Sequence, residues 1–222
     1  MVDCVTGLVR RHRLVAILRG VPADRIVEMG EALLEGGIRV MEVALSTPDA
    51  LVALERLRLT MEDRAAVGAG TVVDAEQGRR ALGAGAQFFV TPHVAEPVCE
   101  LAARERIPVI AGALTPTEIA RAVDLGAAFV KLFPAAAVGS EYIRALLGPY
   151  PKLEILAVGG VGITNLADFL RAGAVGAGIG GALTQAADGV LDPSRVQSVA
   201  TRLVSVVKEE VKRIVSNSDT KT

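Results

Sequence analysis

The sequence predicts a (β/α)8 barrel of the TIM type, in the α/β class, and three observations carry that reading. Eight short apolar runs alternate with eight stretches of helical periodicity along the 222 residues. The runs are continuously apolar rather than alternating, as in parallel strands covered on both faces. A helix end, a glycine and a strand recur at Gly37, Gly85, Gly126 and Gly173, close to two βα units apart each time. A doubly wound open sheet is the structural alternative. The chain lies at the small end of the barrel's size range, so one domain over 1–222 is expected, with an N-terminal helix and a short polar tail.

The first strand, residues 14–18, stops at Arg19-Gly20. Pro22 follows in the first turn of a helix, where a fixed φ and a missing N–H cost nothing. Ile26, Met29, Leu33 and Leu34 carry that helix to Gly36-Gly37. Residues 38–45 read as the second strand and 48–59 as the next helix. The third strand, 65–69, ends at Gly70-Thr71 and precedes a helix over 74–82. A fourth strand, 86–90, closes on Thr91-Pro92-His93, with a helix over 96–104 behind it. The fifth covers 108–111; Thr115 then caps a helix, Pro116 enters its first turn and Glu118 completes a capping box. The sixth is the run from Ala127 to Pro134. Helices over 141–147 and 164–172 enclose a strand over 153–158, which ends at Gly159-Gly160. The eighth strand, 174–179, ends at Gly180-Gly181; the last helix spans about 194–214, and 216–222 is a polar tail.

A net charge of −1 and an aromatic content of 3% leave neither a basic stripe nor a set of stacking rings for nucleic acid. The cluster Arg10-Arg11-His12-Arg13 reads as a solvated helix end. Cys4 and Cys99 have no metal-ligand spacing and no disulfide framework, so both are expected reduced, in the cytoplasm. No apolar signal-peptide core is present at the N-terminus, and the longest uncharged run, 172–187, is too short and too rich in glycine to span a membrane. His12 and His93 lack acidic or cysteine partners for a metal site, and the glycine motifs lack the order of a dinucleotide site. No metal and no cofactor are expected.

The chemistry of such a barrel lies at the C-terminal strand ends. In Ala127-Ala128-Phe129-Val130-Lys131-Leu132-Phe133-Pro134 one lysine interrupts an apolar run. A buried ammonium is costly, so burial lowers its pKa and favours the neutral amine, a nucleophile for carbonyls. The alternative is a lysine that snorkels to solvent. Glu42 is equally isolated in Val40-Met41-Glu42-Val43-Ala44-Leu45. If its strand face points inward, Glu42 and Lys131 look into one barrel, as base and nucleophile or as a mutually neutralising ion pair. Arg19 and Thr71 end the first and third strands. Gly159-Gly160-Val161-Gly162 and Gly178-Ile179-Gly180-Gly181 follow the last two strands, where barrels of this kind bind phosphate on backbone N–H groups and helix N-termini; tight turns would require glycine there too. His93 is either a substrate contact or a solvated loop residue. Tyr142 reads as packing.

These motifs resemble those of the 2-keto-3-deoxy-6-phosphogluconate (KDPG) aldolases. The likeness runs through Gly37-Ile38-Arg39-Val40-Met41-Glu42-Val43, Gly68-Ala69-Gly70-Thr71-Val72, Val90-Thr91-Pro92-His93, Phe129-Val130-Lys131-Leu132-Phe133-Pro134 and Val158-Gly159-Gly160-Val161. It implies a metal-free class I aldolase, typically trimeric, acting on a small-molecule 2-keto acid. It places the Schiff-base lysine on Lys131 and the general acid/base on Glu42. It puts the pyruvyl-carboxylate contacts on Arg19 and Thr71, with Pro92 and Phe133 lining the pocket. Three departures stand out. Some members have an arginine late in the second strand, where this chain has Ser46, so Arg19 supplies that charge. Ala157-Val158 stands before the glycine pair where gluconate enzymes often have Pro-Thr, which is similar to the branch acting on the C4 epimer, the 6-phosphogalactonate. Gly181 replaces a common phosphate-binding serine. Other readings are a 4-hydroxy-2-oxoglutarate aldolase, an acid–base isomerase or synthase, and a non-catalytic barrel that binds a phosphorylated metabolite.

Overall fold

The computed structural model describes residues 4–184 and 191–219. Its elements follow in the order α1 (Val5–His12), β1 (Leu14–Leu18), α2 (Ile26–Glu35), β2 (Val40–Ala44), α3 (Ala50–Met61), β3 (Ala66–Gly70), α4 (Ala75–Gly83), β4 (Phe89–Val90), α5 (Glu96–Glu105) and β5 (Val109–Ala113). Then come α6 (Pro116–Asp124), β6 (Phe129–Leu132), α7 (Ala135–Val138), α8 (Ser140–Leu147), β7 (Ile155–Val158), α9 (Leu166–Arg171), β8 (Gly176–Ile179), α10 (Gly181–Thr184) and α11 (Pro193–Asp219). All eight strands are parallel and pair in chain order, with β8 returning to β1 to close the barrel. The open doubly wound sheet is thereby excluded.

Alternation along each strand sorts the apolar residues into two cores. Leu14, Ala16 and Leu18 of β1, Met41 and Val43 of β2, and Val130 and Leu132 of β6 point outward and pack under the helices. Val15, Ile17, Val40, Ala66, Phe88, Ile110, Phe129 and Leu156 point inward and fill the barrel. Each strand is therefore apolar on both faces, the physical origin of the unbroken runs in the sequence. From below, Val9 of α1 is fully buried against the inner core, with Val5 and Leu8 beside it. At the start of α6, the Glu118 carboxylate accepts from the Thr115 N–H at 2.7 Å while Thr115 Oγ1 accepts from the Glu118 N–H at 3.3 Å, completing the expected capping box.

Several elements depart from the sequence reading. Only Phe89 and Val90 of the expected fourth strand pair as β4. Before them, the Gln87 side chain accepts from the Val67 N–H at 2.9 Å, taking a place that a backbone carbonyl would hold in a regular ladder. Besides the eight expected helices and the expected N-terminal one, α1, the described residues include two four-residue helices, α7 and α10. The last helix reaches Asp219, into the stretch expected as a tail, whose final residues 220–222 lie outside the described ones. The Arg10–Arg13 cluster is more than a solvated helix end: Arg10 donates to both oxygens of Glu154 at 2.8 and 2.7 Å. Its guanidinium also lies 5.3 Å from the centroid of the Phe129 ring, strapping α1 across the barrel floor.

Candidate active site

Followed upward, the inward face of each strand changes character. On β2, Val40 is succeeded by Glu42; on β6, Phe129 by Lys131; beyond Ile17 of β1 comes Arg19. Strand register brings them level: Ile17 pairs with Glu42, and Lys131 lies between Gly112 and Leu156. Glu42 is 1% exposed and Lys131 4%. The lysine that the sequence left free to snorkel is thus held inside. Among the described residues no ion pair joins the two, and Oε2 of Glu42 is buried without a hydrogen-bond partner.

Burial governs both groups. It raises the Glu42 pKa above the usual carboxylate value, against the opposing charges of Lys131 and Arg19. It lowers the Lys131 pKa below that of a free lysine; the Glu42 charge works against this, and the Arg19 charge adds to it. The site therefore favours a neutral amine and a protonatable carboxyl, the forms needed for nucleophilic attack and for proton transfer. Nζ of Lys131 lies 5.1 Å from the centroid of Phe133, whose ring stands at the mouth, 40% exposed.

Above Lys131 opens a cavity of about 480 Å³, bordered by Ile17, Arg19, Phe133, Val158 and the two glycine turns. Of the residues expected at the site, Arg19, Lys131, Phe133, Gly159, Gly160, Val161, Gly180 and Gly181 line it. Beneath it a void of about 10 Å³ touches both Lys131 and Glu42. Gly159 holds φ at +92°, and a Cβ there would stand 3.0 Å from the Phe133 ring, so both backbone and packing call for glycine. In the first turn the Gly162 N–H is committed to Asn165 Oδ1 at 2.9 Å. The helices that follow are short, six residues in α9 and four in α10. The helix-dipole contribution expected there is correspondingly small, and the turns offer mainly backbone N–H groups.

Two hydroxyls orient Arg19. Its guanidinium donates to Ser46 Oγ at 2.9 Å and to Thr71 Oγ1 at 3.1 Å. Thr71 adopts φ +58°, an outlier for a β-branched side chain that stores on the order of 1–3 kcal/mol of strain. Thr47 accepts from the Gly20 N–H at 3.0 Å and so anchors the turn that carries Arg19. Sequence reasoning noted Ser46 only as a missing arginine and passed over Thr47; polar residues just beyond β2 were the available signal. Pro92 and Thr71 do not border the cavity themselves. Pro92 rests its carbonyl against Gly112, the register neighbour of Lys131. Thr91 is fully buried, donates to the His93 carbonyl at 2.6 Å and accepts from the Gly112 N–H at 3.1 Å. His93 itself is exposed. Tyr142 packs as expected, its hydroxyl donating to the Leu114 carbonyl at 2.9 Å. Among the described residues no three His, Cys, Asp or Glu side chains cluster as metal ligands. Nor is any described helix long and apolar enough to cross a membrane.

Comparison with known proteins gives concordant matches. The family model for KDPG and KHG aldolases matches residues 5–199. The 2-dehydro-3-deoxy-6-phosphogalactonate aldolase of Escherichia coli K12 is 34% identical over 199 residues, 89% of this chain and 96% of the relative. A solved structure described as native KDPGal superposes with a TM-score of 0.85 at 33% identity, over 90% of this chain and 96% of the other. KDPG aldolase from Legionella pneumophila, solved with pyruvate captured as a covalent carbinolamine, superposes with a TM-score of 0.81 at 26% identity, over 89% and 97% of the two chains.

Proposed function

The chain belongs to the KDPG and KHG aldolase family, and we propose that it cleaves a 2-keto-3-deoxy-6-phospho sugar acid to pyruvate and glyceraldehyde 3-phosphate by class I chemistry. The observation that carries this reading is one lysine and one glutamate, both buried, sharing the barrel interior beneath a single cavity. Neutral Lys131 attacks the C2 ketone to give a carbinolamine, and loss of water leaves a protonated imine. Glu42, directly or through a water, takes the proton of the C4 hydroxyl. The electrons of the C3–C4 bond flow into the imine, releasing the aldehyde and leaving an enamine. The protonated Glu42 returns its proton to C3, and hydrolysis of the resulting imine frees pyruvate and restores the amine. A base that becomes an acid within one cycle works best with a pKa near the ambient pH, the direction in which burial moves Glu42.

Arg19 takes the substrate carboxylate. Ser46 and Thr71 accept from the guanidinium, which leaves their own hydroxyl protons free to point at the same carboxylate. Phe133 walls the keto-acid end, and Pro92 lies behind, with its carbonyl against Gly112. The phosphate rests on the N–H groups around Gly159-Gly160-Val161 and Gly180-Gly181, with no serine hydroxyl at position 181 to assist. By the same resemblance the enzyme works as a cytoplasmic homotrimer. Val158 borders the cavity where gluconate enzymes often carry threonine, which supports the galactonate epimer as the better substrate.

The test is pyruvate release from the two C4 epimers and from 4-hydroxy-2-oxoglutarate, each at matched concentrations. Turnover of a phosphorylated epimer, fastest for the galactonate, fits the proposal. Faster turnover of 4-hydroxy-2-oxoglutarate would remove the phosphate from it, and no release from any of the three would contradict it.

A further inference from the structure

Gly68 and Gly70 lie two residues apart on the inward face of β3, and neither has a positive φ, so no backbone conformation reserves either position for glycine. What a side chain would meet differs. A Cβ on Gly68 would stand 2.6 Å from the Phe88 ring and the Phe88 carbonyl. A Cβ on Gly70 would stand 2.5 Å from the carboxyl carbon of Glu42 and 2.7 Å from each of its oxygens. The bare Cα of Gly70 is therefore the surface on which the Glu42 carboxyl lies. Resting on the reading of Glu42 as the proton-transfer group, we propose that Gly70 is a positioning residue, whose missing Cβ seats the Glu42 carboxyl flat against β3 and sets its distance from the reacting carbons above Lys131. Only an absent side chain provides that seat, since even one methyl fills it. Glu42 reaches it from the neighbouring strand, where Ala44 is the register partner of Gly70. A methyl on Gly70 would push the carboxyl off β3 towards the barrel axis and out of line with the carbons it must serve.

The test compares Gly70→Ala with Gly68→Ala and with Glu42→Gln in the 222-residue chain. Gly70→Ala is expected to lower kcat about 100-fold, the scale of loss for a 1 Å misplacement. KM should stay within a few-fold and equilibrium borohydride trapping of pyruvate should remain intact, because Lys131 is untouched. The limb of the pH–rate profile that belongs to Glu42 should move to lower pH, as the displaced carboxyl gains solvent or approaches Lys131. Gly68→Ala should lower Tm and leave that limb in place. Glu42→Asp retracts the carboxyl by one methylene, so its loss should be at least about tenfold smaller in the Gly70→Ala background than in the wild type. The double variant also serves if Gly70→Ala alone fails to fold, since removing the clash should restore folding. Wild-type kcat and pH profile in Gly70→Ala, with Glu42→Gln inactive, would overturn the role of Gly70. Additive losses, or equal effects of the two glycine substitutions, would reduce it to ordinary packing. A fully active Glu42→Gln would instead overturn the role of Glu42, and that of Gly70 with it.

Discussion

The floor and the mouth of this barrel are built from the same strands to opposite rules. At the floor, Val9, Val40, Ala66 and Phe129 fill the interior without a polar atom, and Arg10 with Glu154 straps the closing helix outside it. One layer higher, the inward residues of those strands are Glu42, Lys131 and glycines, with a buried carboxylate oxygen left without a partner. A buried polar atom without a partner costs on the order of 1–3 kcal/mol, and the apolar layer beneath offsets it. Stability and reactivity are thus separated along one axis by a step of two residues, the period of a strand. Substitutions at the mouth should destroy activity and spare the fold, and those at the floor should do the reverse.

The largest effect tests the mouth. Lys131→Ala should lower turnover by on the order of 10⁵-fold, because no other described side chain there can form the imine. Glu42→Gln should follow, with about 10²–10⁴-fold lost from kcat in steady-state assays. Arg19→Ala should raise KM for the 2-keto acid substrate. It should also raise the Lys131 pKa, since the Arg19 charge is one of the causes holding it down. The neutral amine then forms only at higher pH, so the Lys131 limb of the pH–rate profile should move upward. Movement the other way would mean that Arg19 acts sterically.

Two stability measurements sharpen the same contrast. Lys131→Met combined with Glu42→Gln should be more stable than the wild type by about 1–3 kcal/mol in urea unfolding, as expected when poorly satisfied charges leave a core. Its pH dependence carries the sign. With a folded-state pKa below the unfolded one, Lys131 makes wild-type stability rise with pH through the window between them. Glu42, with its folded pKa raised, makes stability fall as pH rises above its unfolded value. Both dependences should vanish in the double variant. At the floor, Val9→Ala should cost about 2 kcal/mol by opening a cavity while leaving kcat unchanged.

What the sequence made legible follows from which forces are local. Strands buried on both faces leave continuous apolar runs, so the eight strands and their order could be read directly. Lys131 and Glu42 were visible because a charge inside such a run is conspicuous; period two put Glu42 on one face with Val40 and Ala44, but which face looks inward became clear only from the closed barrel. Contacts that bridge strands leave no such mark. Arg19 reaches Ser46 and Thr71, which are 27 and 52 residues away, and Arg10 reaches Glu154 across 144. Gly70 read as a strand end because a glycine's use is defined by its neighbour's side chain, here Glu42. The shortness of β4 within the expected 86–90 was hidden because the Gln87 side chain imitates a ladder carbonyl, which propensity cannot register.

The central claim is that Lys131 is the nucleophile of the mouth. Intact-mass analysis after incubation with pyruvate and borohydride, followed by peptide mapping, tests it most directly. One reduced pyruvyl adduct per chain, located on the peptide carrying Lys131 and absent from Lys131→Ala, is the predicted result. A folded protein that gains no adduct, or gains it on another lysine, would contradict the account.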